Sequence, residues 1–189
     1  TGLLLLFLSL MLTVYALFVI AAVAADEWQP PSPLDVMSEG GLLLKQIALM
    51  VVLFVGPVLL MPSSMVLGMG LLALAALVLP AALMILAVSH SLGAALNPLR
   101  WLQLIVTVGV SYLLLWFAVM AVTAAPSILE TRSAPVLFMF LGTCFSVYTT
   151  LVAAAMMGAL LNEKARALGL AWDEPVSYTH LTLPTSSQV

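Results

Sequence analysis

The sequence predicts an all-α, polytopic transmembrane helical bundle of about five spans, and three observations carry that reading. Of 189 residues, 64% are hydrophobic and only 7% charged. Mean hydropathy is +1.24. The apolar residues also fall in runs of roughly 20 or more, the length at which a helix rising 1.5 Å per residue crosses ~30 Å of hydrocarbon. A soluble core of this size has no room for so much apolar surface, so lipid is the expected solvent. The formal charge of -3 supplies no basic surface for nucleic acid. Lys and Arg do not cluster into a headgroup-binding patch. Cys144, the single cysteine, lies in an apolar run, which leaves neither an intrachain disulfide nor a thiolate metal cluster.

The first span is expected over residues 2–25, leaving lipid at Asp26-Glu27-Trp28, two carboxylates and an interfacial aromatic. Val23-Ala24-Ala25 also resembles a signal-peptidase site. The apolar stretch exceeds the usual signal length, so a retained span is preferred and cleavage is the alternative. With Thr at position 1, the native amino end is expected upstream. Gln29 to Pro33 is a stiff extended piece. Ser32-Pro33-Leu34-Asp35 then reads as a capped helix start with Pro in its first turn, and Leu34 and Met37 share a face. A short interfacial helix in the first loop, stopped at Gly40-Gly41, is the simplest account.

The second span is expected over residues 42–61, with Lys45 and Gln46 at its mouth and a bend at Gly56-Pro57. Pro62-Ser63-Ser64 makes a tight turn into the third span, 65–88, where Pro80 removes one backbone bond. Ser89 to Leu96 is a mildly amphipathic connector. Asn97-Pro98 supplies a cap and first-turn Pro for a fourth span, 98–125. A polar loop, Pro126 to Ala134, leads to a fifth, 135–161, whose helix continues to about 168, with Lys164 and Arg166 suiting the negative end of its dipole. Residues 1–175 thus form one domain. Residues 176–189 differ sharply in composition and resemble translated sequencing adapter at the end of a metagenomic gene call, so they are set aside as an artefactual tail; a native polar tail is the competing reading.

Alternate loops can be scored for Lys and Arg, which are retained in the cytoplasm. One side holds Lys45, Arg100, Lys164 and Arg166, and the other only Arg132. The carboxyl end is therefore expected to be cytoplasmic, in a bacterial inner membrane.

Between Gln46 and Leu99 there is no Asp, Glu, Lys or Arg, and the interiors of the first, fourth and fifth spans lack them too. Ion-coupled pumps, voltage sensors and proton relays need such groups inside the membrane, which argues against those classes. Carbonyl-lined sites at helix breaks keep ion binding open as an alternative. The clearest positive pattern lies in the fifth helix, where Gly142, Ser146, Thr150, Ala154 and Gly158 recur every four residues. Such a small-residue stripe lets backbones approach closely in lipid, where apolar burial drives little association. It reads as packing against the third or fourth span, or as a mobile helix seam, or as an interface with a second copy or a membrane-protein partner.

His90, with Asn97 and Arg100, marks a polar mouth at the expected cytoplasmic end. It reads as a solvated or capping histidine, or as part of a lipid-headgroup or phosphate site. A single His offers no metal-ligand spacing, and no nucleophile and base accompany it, so no catalytic, cofactor or metal residue is assigned. Arg100 beside Trp101 reads as an interfacial anchor. Tyr112, Tyr148, Ser111 and Thr107 line a polar seam or bond across helices.

The run from Leu79-Pro80 through Ser89-His90-Ser91 to Asn97-Pro98, followed by Gly109 and Tyr112, resembles bacterial multi-span membrane proteins of unknown function. The Trp28 to Gly41 loop is similar to the Trp-Asp-Gly segment that precedes a span in them. That resemblance implies an integral membrane protein and carries over no catalytic residue. The expected role is a non-enzymatic membrane component acting through helix packing or assembly. A small-solute or lipid permease, and a lipid-headgroup enzyme using His90 at the cytoplasmic mouth, are the alternatives.

Overall fold

A computed structural model describes residues 2–27, 40–130 and 136–164, and all of the regular structure among them is helical. The order is α1 (Gly2–Ala24), α2 (Gly40–Met50), a π-helical turn (Val51–Val55), α3 (Gly56–Leu60), α4 (Met65–Ser89), α5 (Leu92–Ala95), α6 (Pro98–Val108), α7 (Val110–Glu130) and α8 (Val136–Lys164). Among the described residues, three stretches are long and apolar enough to cross a membrane: Gly41–Leu60, Met65–Ser89 and Gly142–Lys164. A fourth is added if the bent pair α6 and α7 is one span. The chain is an integral membrane protein by that measure. The interfacial helix expected at 32–39, Arg132, Arg166, the helix extension to 168 and the adapter-like tail at 176–189 lie outside the described residues.

Helix ends follow local chemistry. α1 closes in a Schellman arrangement: Asp26 takes a left-handed φ of 61°, Glu27 N–H donates to the Ala22 carbonyl at 2.8 Å, and Asp26 N–H donates to Val23 at 3.2 Å. Ser64, extended and just past the Pro62 turn, accepts from Leu67 N–H to start α4. Asn97 Oδ1 accepts from Leu99 N–H at 3.0 Å ahead of Pro98, the pairing that opens α6. The connector from 89 to 96 contains one helical turn, α5, capped by Ser91.

Two prolines are handled differently. Pro57 has no N–H to give the Leu53 carbonyl, and a π-helical turn precedes it, so the bend expected at Gly56-Pro57 is a local widening of the ladder. Pro80 deprives the Ala76 carbonyl of its helical donor. Trp116 of α7 supplies a replacement, its indole N–H donating to Ala76 O at 2.9 Å. One turn away, the Tyr112 hydroxyl donates to Leu77 O at 2.6 Å and is also met by the Ala81 main chain. Two side chains four residues apart on α7 thereby close the gap that proline opens in α4.

The expected fourth span, a single helix over 98–125, divides at Gly109. This residue adopts φ 64°, ψ -132°, a conformation that side chains disfavour, and α6 leaves α7 at 104°. At 11 residues α6 measures about 16 Å and falls short of a crossing. α7 then continues through Pro126 to Glu130, where a loop was expected.

α1 and α8 pack side by side with their carboxyl ends together, and α4 is the central helix against which α1, α3, α6 and α8 all lie. The core joins Val14, Leu17 and Ile20 of α1 to Ala153, Ala154 and Met157 of α8, with Ala81, Met84 and Leu86 of α4. By contrast α3 and the first half of α4 form a hairpin whose apolar side chains face outward: Val66 is 85% exposed and Leu59 72%. In water that strip would be an aggregation surface, whereas hydrocarbon solvates it.

Candidate functional site

The polar groups gather where the carboxyl ends of α1, α4 and α8 meet the starts of α2 and α6. Ser89 closes α4, its hydroxyl donating to Ile85 O at 2.7 Å, and His90 follows as the left-handed cap residue, φ 49°. The His90 carbonyl accepts from Lys45 Nζ at 2.7 Å, tying the first turns of α2 to the end of α4. Lys45 thus meets a helix carboxyl terminus, where a cation is favoured by the dipole. His90 works here through its main chain, as a helix cap.

On the α8 side, Asn162 donates through its amide to the Val23 carbonyl at 3.4 Å and the Ala24 carbonyl at 3.1 Å, two groups at the open end of α1. Glu163 and Lys164 form an adjacent surface pair at 2.8 Å, of little energetic weight. Asp26 and Glu27 are exposed at the same end.

A cavity of about 240 Å³ opens between the end of α4, the start of α6 and the end of α8. Met84, Ile85, Val88, Leu104 and Leu161 make its walls. Its polar atoms come from Ser89, Arg100 and Gln103. Of the three residues expected at the polar mouth, Arg100 therefore lines this cavity, while Asn97 and His90 are occupied as caps of α6 and α4. The Ser89 hydroxyl is engaged as well, since it also accepts from Ser91 N–H at 3.3 Å. Arg100 and Gln103 are exposed, and the arrangement can hold an anion or a carbonyl at the rim with apolar matter beneath.

A second, wholly different hollow of about 490 Å³ runs along the outer face of the hairpin, between the π turn and α4, from Leu60 and Leu71 to Val78 and Trp101. It is apolar throughout except for the indole N–H, which is bonded to Ala95 O.

The small-residue stripe of α8 has two environments. Gly142, Ala154 and Gly158 are buried, and Ser146 and Thr150 are half-buried. A Cβ at Gly158 would sit 2.7 Å from the Ile20 carbonyl oxygen and 2.7 Å from Val23 Cβ, so this glycine is where α8 touches α1. At Gly158 the neighbour is the first helix, while α8 as a whole packs on α7 and α4 as well. Thr150 spends its hydroxyl within its own helix, donating to Ser146 O at 2.8 Å. Gln46 is 6% exposed, and its Oε1 has no partner among the described residues.

Sequence reasoning missed Gln103, Asn162 and Trp116. The first carried a signal: Arg100, Gln103 and Thr107 recur at helical spacing and make α6 amphipathic. Among the described residues, no group of three or more His, Cys, Asp or Glu is placed to hold a metal ion. Comparison with family models, with curated proteins and with solved structures finds no match to this chain.

Proposed function

We propose that the chain is a non-enzymatic component of a bacterial inner membrane, crossing it five times with its carboxyl end in the cytoplasm and acting by association with a second copy of itself. One observation carries the reading: four polar side chains of the last two spans are spent on main-chain carbonyls. Tyr112 and Trp116 serve the Pro80 break, and Thr149 and Thr150 bond back to Ser146. Such groups stiffen and join helices. A permease would want them, or charges, facing a polar path.

Five crossings are supported by the lengths of α1 and α7, 23 and 21 residues, about 35 and 32 Å. The orientation is supported by Lys45, Arg100 and Lys164 standing at the end where α1, α4 and α8 finish. Self-association would use the part of α8 before its α1 contact, where Phe145, Val147 and Tyr148 stay exposed.

In a Cys144→Ser background, a membrane-impermeant thiol reagent applied to intact cells should label Glu130→Cys and spare Glu39→Cys; the reverse overturns the orientation. Light scattering of the purified chain in detergent should give a dimer mass that Phe145→Ala with Tyr148→Ala lowers to that of one chain. A monomeric wild type that also carries solute across proteoliposome membranes would replace this reading with the permease.

A further inference from the structure

We propose that the cavity between α4, α6 and α8 is a binding site for one anionic phospholipid, with Arg100 holding the phosphate. The argument begins with where the cavity lies. α6 turns 104° from α7, so with α7 along the membrane normal α6 crosses the end of the bundle, at the depth where spans meet headgroups. Trp101, next in sequence, has its indole tied to Ala95 O and is half-buried, the placement that interfacial aromatics take. The guanidinium of Arg100 therefore stands at the phosphate layer.

The chemistry of the walls divides along the same direction. Met84, Ile85, Val88, Leu104 and Leu161 contribute apolar side chains. Arg100 and Gln103, one helical turn apart on α6, place a cation and an amide on one rim. Ser89 has its donor and an acceptor position already used, so the rim's available donors are the guanidinium and the Gln103 amide. An Arg fork is matched to phosphate oxygens in a way that a water or a neutral glycerol is not. Among the described residues no carboxylate pairs with Arg100. At about 240 Å³ the hollow is smaller than a pocket that swallows a whole ligand. It suits the upper part of one acyl chain beneath a phosphate, the remainder of the lipid staying in the bilayer. A free phosphate would leave the apolar walls unused.

The test uses the purified full chain in detergent, titrated separately with phosphatidylglycerol and phosphatidylcholine, with bound lipid counted by native mass spectrometry. One phosphatidylglycerol should be retained per chain in preference to phosphatidylcholine. Arg100→Gln should weaken that retention about tenfold, as expected for losing a charge-assisted bond, while Lys164→Gln keeps the wild-type value. Val88→Phe, which fills the slot and preserves the charge, should weaken it similarly and decides the matter if Arg100→Gln does not fold. Equal retention of the two lipids, wild-type retention in both Arg100→Gln and Val88→Phe, or displacement of the lipid by inorganic phosphate alone would overturn the proposal.

Discussion

The half of the molecule around the α1 and α8 seam and the hairpin made by α3 with the first half of α4 are both apolar, yet most of the hairpin's glycines face open space where the seam's Gly158 faces a neighbouring helix. In the seam, Gly158 admits the Ile20 carbonyl of α1 to a distance no side chain would allow, and Ala153, Ala154 and Met157 continue the contact. In the hairpin, Gly68 is tight only against Met61 at the turn itself, where a Cβ would sit 2.6 Å from Met61 Cγ, while a Cβ at Gly56 or at Gly70 would meet nothing within 4 Å. Composition alone does not separate the two regions. What separates them is whether a neighbour stands across from the small residue, since in lipid close approach and hydrogen bonding, not apolar burial, hold helices together.

The sharpest break in that comparison is a pair of substitutions. Gly158→Leu should cost about 3 kcal/mol or more, because a rigid backbone carbonyl and Val23 oppose it. Gly70→Leu should stay within about 0.5 kcal/mol of wild type. Reversible unfolding in mixed micelles with rising SDS measures both, and equal costs would erase the distinction between seam and hairpin.

Gly109→Ala comes next. The bend between α6 and α7 needs φ 64° with ψ -132°, so a loss of about 2 kcal/mol is expected from strain, in a place where a Cβ would have ordinary room. A stabilised Gly109→Ala variant would mean that the two helices are better joined straight. Third in size is the proline patch. Trp116→Phe should cost about 1 kcal/mol, and less in a Pro80→Ala background, where the chain's own N–H returns to serve the Ala76 carbonyl. If the two losses simply add, the indole is not compensating for proline.

Asn162→Ala should cost somewhat less, about 0.5–1 kcal/mol, by leaving the Val23 carbonyl to the Asp26 N–H of the Schellman turn and taking the side-chain donor from the Ala24 carbonyl. Gln46→Leu should be neutral or slightly stabilising, because it removes a buried amide oxygen that no described group satisfies. A clear loss at Gln46 in the same unfolding assay would point to a donor that serves it.

The positions of the long apolar helices were legible in the sequence because runs of roughly 20 apolar residues admit few other structures. The Asn97 cap was legible for a similarly local reason, since it stands directly before Pro98 and a helix start, whereas Ser64, read as part of a turn, also caps α4. The break at Gly109 was hidden in continuous hydrophobicity, since Val108-Gly109-Val110 reads like any glycine in a span, and only the φ and ψ it adopts reveal its use. The partner of the α8 stripe was illegible too. Spacing of four residues says that Gly158 lies on a face with Ala154, but not that Ile20 lies opposite, 138 residues earlier in the chain. The polar mouth was half legible: the caps at His90 and Asn97 are local, whereas the meeting of Arg100 with Ser89 and Leu161 around one cavity depends on the chain reversing at 89–97.

The central claim is that α8 packs the Gly158 end of its small-residue face on α1 of the same chain. In a Cys144→Ser background, Ala24→Cys and Asn162→Cys can be combined and treated in membranes with a short bifunctional thiol reagent, since the Asn162 amide reaches the Ala24 carbonyl at 3.1 Å. Cross-linking within single chains, at a yield unaffected by diluting the protein in lipid, is the expected result. Products that are mainly dimers, or no cross-link where each single cysteine still reacts, would contradict it.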